Sequence, residues 1–599
     1  MNMPEYGPQT VYADQLDAEK YRAPGETFRE ATSRVARVVA DGEHHYRQVN
    51  EITLNQRFLF GGRIRAALGS PKNTTAYNCF VSGIIPDSFT DRDNSHKSSI
   101  MDRATESAKT MRMGGGIGYG FSHLRPRGAM IEKLQSASSG PLGFMPIFNS
   151  VGQATSSAGN RRGAQMGMLR IDHPDILEFI RIKQNPDALT GFNISVAVTD
   201  EFMDHLQSGM PFALRHGGTV YSHVDPAELW NEIMLSNWDW GEPGVIFIDT
   251  INRRNNLWYC ETIEATNPCA EQPLPPFGAC LLGSFNLVKY LTWQGRENRW
   301  AFDWDYLRSD IPPIIRAMDN VVDAAKYPLQ EQEAEAKSKR RMGVGITGLA
   351  NALEACGHSY GVESFLDIEA KIMHMIQREA YLTGAQLARE KGAFPLFDAD
   401  RYLKGKHVCT LDRDVQEQIR IWGLRNSHYT SVAPTGTISQ TADNVSSSAE
   451  PVFRWRQERD VNMLAGKRTI DLYDYGFDKL HVRGKRAAFG EVTANQHVDV
   501  LTRAQSYVDS AVSKTINVTG SMPMEDFKGV YTKVYEKGGK GCTTFNADGK
   551  RAGIFKLSPE PPDLPFASPV VDALLGGIGD YADGQACYFD PSTGMRTCE

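Results

Sequence analysis

The chain reads as an α/β protein, and three features predict that class. Short strand-like runs at 194–198 (ISVAV) and 244–248 (GVIFI) interleave with amphipathic stretches, and strands alternating with helices favour parallel pairing. In one amphipathic stretch Phe365, Ile368, Ile372, Ile376 and Leu387 recur at near-helical spacing, with Gly392 just past its end as a C-cap. The length of 599 residues suits roughly three to six average domains or one large α/β barrel with appendages.

In chain order, residues 1–60 are polar and irregular in period, which predicts an N-terminal region of helices and loops. Residues 61–560 mix β-rich runs with amphipathic stretches and make up the main body. A helix is predicted over 330–339 (QEQEAEAKSK), polar all round and therefore placed at the surface. Residues 561–599 change character: PEPPDLP at 559–565 breaks regular structure, and the tail carries Cys587 and Cys598. No internal repeat or low-complexity linker interrupts the sequence.

Composition excludes several function classes. With 41% hydrophobic and 23% charged residues the chain falls among ordinary globular proteins. A net charge of −7 lacks the basic footprint of nucleic-acid binding, yet leaves local donors free to hold an anionic small molecule. No apolar run approaches the ~20 residues of a membrane helix, and the start MNMPEYGPQTVYADQ has no signal-peptide pattern. The expectation is a cytoplasmic protein with neither nucleic acid nor membrane as partner. Nine cysteines in so long a chain are read as thiols, and without CxxC or HExxH spacing they predict no metal site.

Four segments carry possible chemistry. GGGIG at 114–118 lacks the preceding apolar strand and the well-placed acidic residue of a dinucleotide site, so it is read as a turn in close backbone contact. Asn267, Cys269 and Glu271 alternate along NPCAE, and an extended loop would turn all three toward one substrate. A thiol to take hydrogen, a carboxylate to take a proton and an amide to orient oxygens suit chemistry at a hydroxylated carbon; a buried structural cysteine beside a loop glutamate fits the same residues. Cys280 lies eleven positions after Cys269. Ala433, Pro434, Thr435, Gly436, Thr437, Ile438 and Ser439 form a small hydroxyl- and glycine-rich turn that suits a phosphate or an ordinary helix cap. The run 156–166 (SSAGNRRGAQM), with Arg161 and Arg162, fits a nucleotide-sensing loop or a solvated one. Cys79, in TAYNCFV, fits a small buried hydrophobe.

Together the segments resemble, in order and wording, the catalytic subunit of ribonucleotide reductases, in particular the adenosylcobalamin-dependent (class II) enzymes. The likeness rests on YNCFVSGIIPDSF, GGGIGYGFSHLRPRG, SAGNRRGAQMGMLRIDHPDILEFI, FNISVAVTD, YCETIEATNPCAEQPLPPFGACLLGSFNL, RRMGVGITGLA, SVAPTGTISQ, YVDSAVSKTINV and KGCTTF, spread over residues 60–546. It implies a ten-stranded α/β barrel of two parallel five-stranded halves threaded by a finger loop, an N-terminal helical region and a flexible redox tail. Cys269 would be the transient thiyl radical that takes the ribose 3′-hydrogen. Glu271 would take the 3′-hydroxyl proton, and Asn267 and Asn78 would bind the substrate. Cys79 and Cys280 would supply two electrons and become a disulfide.

The same likeness gives the 433–439 turn to substrate phosphates. It gives Asp87, Ser88, Arg125, Asn160, Arg161 and Arg162 to a deoxynucleotide or ATP effector, and implies a homodimer. Cys587 and Cys598 would pass electrons from a thioredoxin- or glutaredoxin-type reductant, brought together by a turn at DPSTG. No segment resembles an ATP-cone domain, so inhibition through that module is not expected. Relatives that need a separate ferritin-like radical-generating subunit carry two adjacent tyrosines where this chain has KGCTTF at 540–545. Tyr531 and Tyr535 are close but not adjacent. The expected radical source is therefore adenosylcobalamin and the expected substrate a ribonucleoside diphosphate, the subunit-dependent route being the alternative.

Overall fold

The computed structural model describes residues 6–90, 98–132, 134–157, 161–162, 164–463, 466–546, 548–550, 588–590 and 595–597. Its centre is a ten-stranded sheet. In chain order the strands that position the site are β1 (Phe58–Phe60), β2 (Cys79–Val81), β3 (Gly116–Gly120), β4 (Gln165–Arg170), β5 (Phe192–Val198) and β6 (Gly244–Phe247). After them come a two-residue pair, β7 (Ala265–Thr266) and β8 (Pro273–Leu274), and then β9 (Ala279–Asn286), β10 (Met342–Thr347), β11 (Thr515–Val518) and β12 (Gly541–Asn546).

Strands β2 to β6 run parallel in sequence order. A second parallel set holds β9 beside β10 and β11 beside β12. Single parallel bridges, Val344 to Thr430 and Val432 to Val512, carry the pairing from β10 across to the chain just before β11. The two sets meet antiparallel at two seams, β2 against β9 and β6 against β12. β1 pairs antiparallel with β9 as an additional strand. Every position of β5 and β9 is buried, as expected for strands covered on both faces.

Helices supply the cover. α1 (Val11–Tyr21), α2 (Phe28–Val39) and α3 (Glu43–Leu54) form the N-terminal region, with a capping box from Thr27 and Glu30 starting α2. α4 (Ile100–Arg112) and α5 (Gly140–Ala154) flank β3. The long helix foreseen around Phe365 is α8 (Glu363–Lys391), following α6 (Trp304–Ala324) and α7 (Gln330–Lys339). Phe365, Ile372, Ile376 and Leu387 are buried in it, and Gly392, with φ +85°, ends it. Two readings need correcting. α7 is not simply a surface helix, because Gln332, Ala336 and Lys339 are buried and Lys339 joins an ion-pair network. Ile248 belongs to the helix Ile248–Arg253 rather than to β6. Among the described residues no helix is long and apolar enough to cross a membrane.

Candidate active site

Chain geometry brings distant residues together at the β2/β9 seam. The antiparallel register sets Cys79 opposite Cys280, and facing residues in such a pair have Cα atoms about 4.5–5.5 Å apart, inside the span of a disulfide. Both are buried thiols. Above the seam the chain between β7 and β8 folds into a hairpin. Its tip closes with the Asn267 N–H donating to the Gln272 carbonyl (3.1 Å) and the Ala270 N–H donating to the Asn267 carbonyl (3.1 Å).

The expected extended alternation of Asn267, Cys269 and Glu271 is therefore replaced by a tight turn. Ala270 takes φ +67°, a left-handed conformation uncommon outside glycine and often found where function over-determines the backbone. Asn267 and Glu271 meet across the turn, while Cys269 stands half-buried at its tip. The Asn267 amide donates to Cys79 Sγ at 3.1 Å, and Cys79 Sγ donates to Glu271 Oε1 at 3.5 Å. The thiol of the seam is thus tied directly to the carboxylate of the hairpin.

Burial dominates the electrostatics here. It pushes the Glu271 carboxyl above the ordinary carboxylate range, against the opposing hydrogen bond from Asn267. Burial, followed by the Glu271 charge, pushes the Cys79 thiol well up. Burial also raises Cys280, opposed by the positive charge of Arg341. Glu271 Oε2, Asn78 Oδ1, both ends of the Gln272 amide and Ser448 Oγ are buried without a hydrogen-bond partner. Orphaned polar atoms are expensive, and each calls for a partner such as a polar ligand.

The GGGIG segment has a definite task, which is not a dinucleotide site. Gly116–Gly120 is strand β3 itself, preceded by helix α4, and the hairpin crosses its face. A Cβ on Gly118 would overlap the Thr266 carbonyl oxygen. On the opposite side a Cβ on Gly343 of β10 would sit 2.5 Å from Gln272 Nε2. Glycine is what lets the hairpin pass so close to both strand sets. Residues that sequence reading missed complete the mount: Asn193 of β5 donates to the Pro268 carbonyl (3.3 Å), and Ser431 Oγ and the Ala511 N–H donate to the Glu271 carbonyl (3.0 Å each). Asn193 and Ser431 lie inside FNISVAVTD and SVAPTGTISQ, so the signal was present without an assigned task.

The 433–439 turn opens a short helix, α9 (Gly436–Gln440), behind Thr435 at φ +56°. Ala433, Gly436 and Ile438 are buried, and Pro434 and Thr437 half-buried. Thr435 Oγ1 accepts from the Ser448 N–H (2.7 Å) and lies 3.0 Å from Thr347 Oγ1; Ser439 Oγ lies 2.8 Å from Ser447 Oγ. Those hydroxyls brace the turn, and the opening N–H groups of α9 have no intrahelical acceptor.

Asp87, Ser88 and Arg125 come together at the start of α4. Arg125 Nε donates to Asp87 Oδ2 (2.5 Å), and the Ser88 carbonyl accepts from the Ile100 N–H (2.8 Å). Arg161–Arg162 pair with Ser156–Ser157 as a small ladder, while Asn160 lies outside the described residues. So do Cys587 and Cys598, although Tyr588–Asp590 pairs antiparallel with Met595–Thr597, Tyr588 opposite Thr597. Tyr531 and Tyr535 sit on a helix (Met524–Glu536), hydrogen-bonded to Thr544 and Asp200.

Comparison with known proteins identifies the family. The family described as "Ribonucleotide reductase, barrel domain" matches residues 78–480 and 467–545. The chain is 33% identical to the "Vitamin B12-dependent ribonucleoside-diphosphate reductase" of Mycobacterium tuberculosis (strain CDC 1551 / Oshkosh), covering 94% of this chain and 81% of that one. A protein of the same name from Thermoplasma acidophilum is 32% identical over 84% of this chain and 66% of its own length. The "Vitamin B12-dependent ribonucleotide reductase" of Streptomyces clavuligerus is 26% identical over 88% of this chain and 62% of its own.

Proposed function

Because the chain belongs to the ribonucleotide reductase barrel-domain family, we propose that it reduces ribonucleoside diphosphates to 2′-deoxyribonucleotides with a radical derived from adenosylcobalamin. The observation that carries this reading is the facing Cys79–Cys280 pair tied through Glu271 and Asn267 to the hairpin bearing Cys269. Its relatives are named as vitamin B12-dependent enzymes, so a ferritin-like subunit is not needed. The site suits such a cofactor: Cys269 and Ala270 are half-buried at the tip, while Asn267, Glu271, Cys79 and Cys280 are buried beneath them. Cys269 and Ala270 would face that group. Held there, adenosylcobalamin would supply the radical chemistry.

The residues of the chain perform the rest. Cys269 takes hydrogen from the ribose C3′. Glu271, its basicity raised by burial, takes the 3′-hydroxyl proton as water leaves C2′. Asn267 and Asn78 hold the sugar, the Asn78 oxygen being a buried acceptor with no protein partner. Cys79 and Cys280 give two electrons and join as a disulfide. Phosphates sit on Pro434–Ser439, where Ser448 Oγ adds a buried hydroxyl without a partner. The dry interior protects the radical from side reactions.

Three outer parts complete the reading. Asp87, Ser88 and Arg125, with Asn160, Arg161 and Arg162, take a deoxynucleotide or ATP effector, in a homodimer. Cys587 and Cys598 re-reduce the dithiol from a thioredoxin- or glutaredoxin-type partner, a role favoured by the hairpin register between them. The test is anaerobic incubation of the chain alone with adenosylcobalamin, a ribonucleoside diphosphate, an effector and a dithiol. Deoxynucleotide is expected, and none with Cys269→Ser; turnover that requires a second protein would overturn the proposal.

A further inference from the structure

The two thiols of the seam are equivalent by register but not by surroundings. β9 and β10 run parallel with Leu281 beside Met342. The preceding residues, Cys280 and Arg341, therefore stand side by side where both strands begin. Arg341 is only 2% exposed and is clamped there. Its guanidinium donates to Glu335 Oε1 at 2.5 Å and to Glu261 Oε1, and Lys339 Nζ lies 2.9 Å from each of the same two carboxylates. The four charges cancel within the network, yet only Arg341 directly precedes the strand beside Cys280. The next largest charges acting on Cys280 are the carboxylates Asp509, Glu271 and Glu335.

Among the described residues, no cation is a leading influence on Cys79. Its sulfur accepts from the neutral Asn267 amide and donates to Glu271, and the groups acting on it are Glu271, Cys280 and Cys269. A neutral donor stabilises a sulfur anion less than a full positive charge does, and the Glu271 carboxylate opposes it. Arg341 therefore favours negative charge on Cys280, an influence that is not among the groups acting on Cys79. In thiol–disulfide exchange the better-stabilised thiolate is the better leaving group.

We propose that Arg341, held by Glu261, Lys339 and Glu335, is a positioning residue that gives the Cys79–Cys280 disulfide a direction. The incoming thiolate attacks Cys79 Sγ, a new sulfur–sulfur bond forms there, and the old one breaks with its electron pair leaving on Cys280, next to Arg341. The second thiol of the dithiol reductant then attacks the mixed disulfide and releases Cys79. Two electrons and two protons pass from the dithiol, which becomes a disulfide, to the cysteine pair. The same polarity leaves Cys79 protonated against Glu271, ready for the next substrate. The idea rests on the dithiol role assigned above.

The test is regiochemical. The holoenzyme is oxidised by one turnover without reductant or, separately, by diamide, then exposed briefly to glutathione. It is next quenched in acid with N-ethylmaleimide and mapped by mass spectrometry. Glutathione should be found on Cys79, with Cys280 alkylated, in about tenfold excess or more. Arg341→Gln should bring that ratio towards one and slow disulfide reduction about tenfold, and Arg341→Lys should restore the preference. Glutathione on Cys280, or on both equally in the unmodified protein, overturns the proposal even if Arg341→Gln does not fold. A disulfide made by diamide but not by turnover overturns the dithiol role while the ratio still judges Arg341; one made by neither overturns both.

Discussion

The sheet has two antiparallel seams, and they differ in a way that isolates what chemistry needs. At the first, Cys79 faces Cys280; at the second, Val245 faces Cys542. Each seam is short, each joins the same two parallel strand sets, and each buries a cysteine. Among the described residues only the first has a hairpin that brings a carboxylate and an amide to the sulfur, with a guanidinium just before the neighbouring strand. At the second, burial alone pushes the thiol up. A buried cysteine on a central strand is therefore no sign of function; its neighbours decide.

The sharpest way to break this contrast is at the first seam. Cys79→Ser or Cys280→Ser should lower steady-state turnover about 10⁴-fold or more, because residues acting as one unit fail together. Their folding should change little, which far-ultraviolet circular dichroism and thermal melting will show. Turnover within tenfold of the unmodified protein in either variant would remove the dithiol from the mechanism.

Glu271 comes next in size. Its carboxyl must be ionised to act as a base, and burial raises it, so activity should be lost as pH falls through a value above the ordinary carboxylate range. Glu271→Gln should cost about 10³-fold in kcat and remove that acid limb. A kcat profile that stays flat down through the normal carboxylate range would refute the assignment. Gly118→Ala should follow at about 10²-fold, since a new Cβ would collide with Thr266 and misplace the hairpin by about an ångström. Here kcat should fall far more than the melting temperature.

The sequence carried much of this, and the limits have physical causes. The strand at 194–198 showed as a short β-rich run and the helix through Phe365 through its near-helical apolar spacing. The cysteines, Glu271 and the 433–439 turn showed because their wording matches a known family. What failed to show depends on contacts between distant parts of the chain. Ala270 carries no glycine to announce its left-handed turn, so the loop looked extended. Lys339 and Glu335 looked like solvent-facing charges because nothing local to 330–339 reveals that Arg341 and Glu261 lie against them. GGGIG looked like a turn because the hairpin that crosses β3 comes from some 150 residues later, Gly118 against Thr266. The second seam could not be foreseen at all: β6 and β12 are separated by most of the second strand set.

The smallest expected effects lie at that second seam, where they test the contrast most strictly. Cys542→Ala should leave turnover within about twofold and cost about 1 kcal/mol of stability, the ordinary result of a small core deletion. Val245→Cys places a second thiol opposite Cys542 in the antiparallel register that Cys79 and Cys280 share. Diamide should then join the pair, since the register alone meets the distance requirement, and thiol counting will detect the loss of two free sulfhydryls. Turnover should nevertheless be unchanged, and Val245→Cys should not rescue Cys79→Ser. The new pair would have the geometry of a redox couple without a carboxylate to hold a proton, an arginine to receive charge, or a hairpin to bring a radical. Partial rescue in the double variant would mean that register by itself suffices, and the role given to Glu271 and Arg341 would have to be withdrawn.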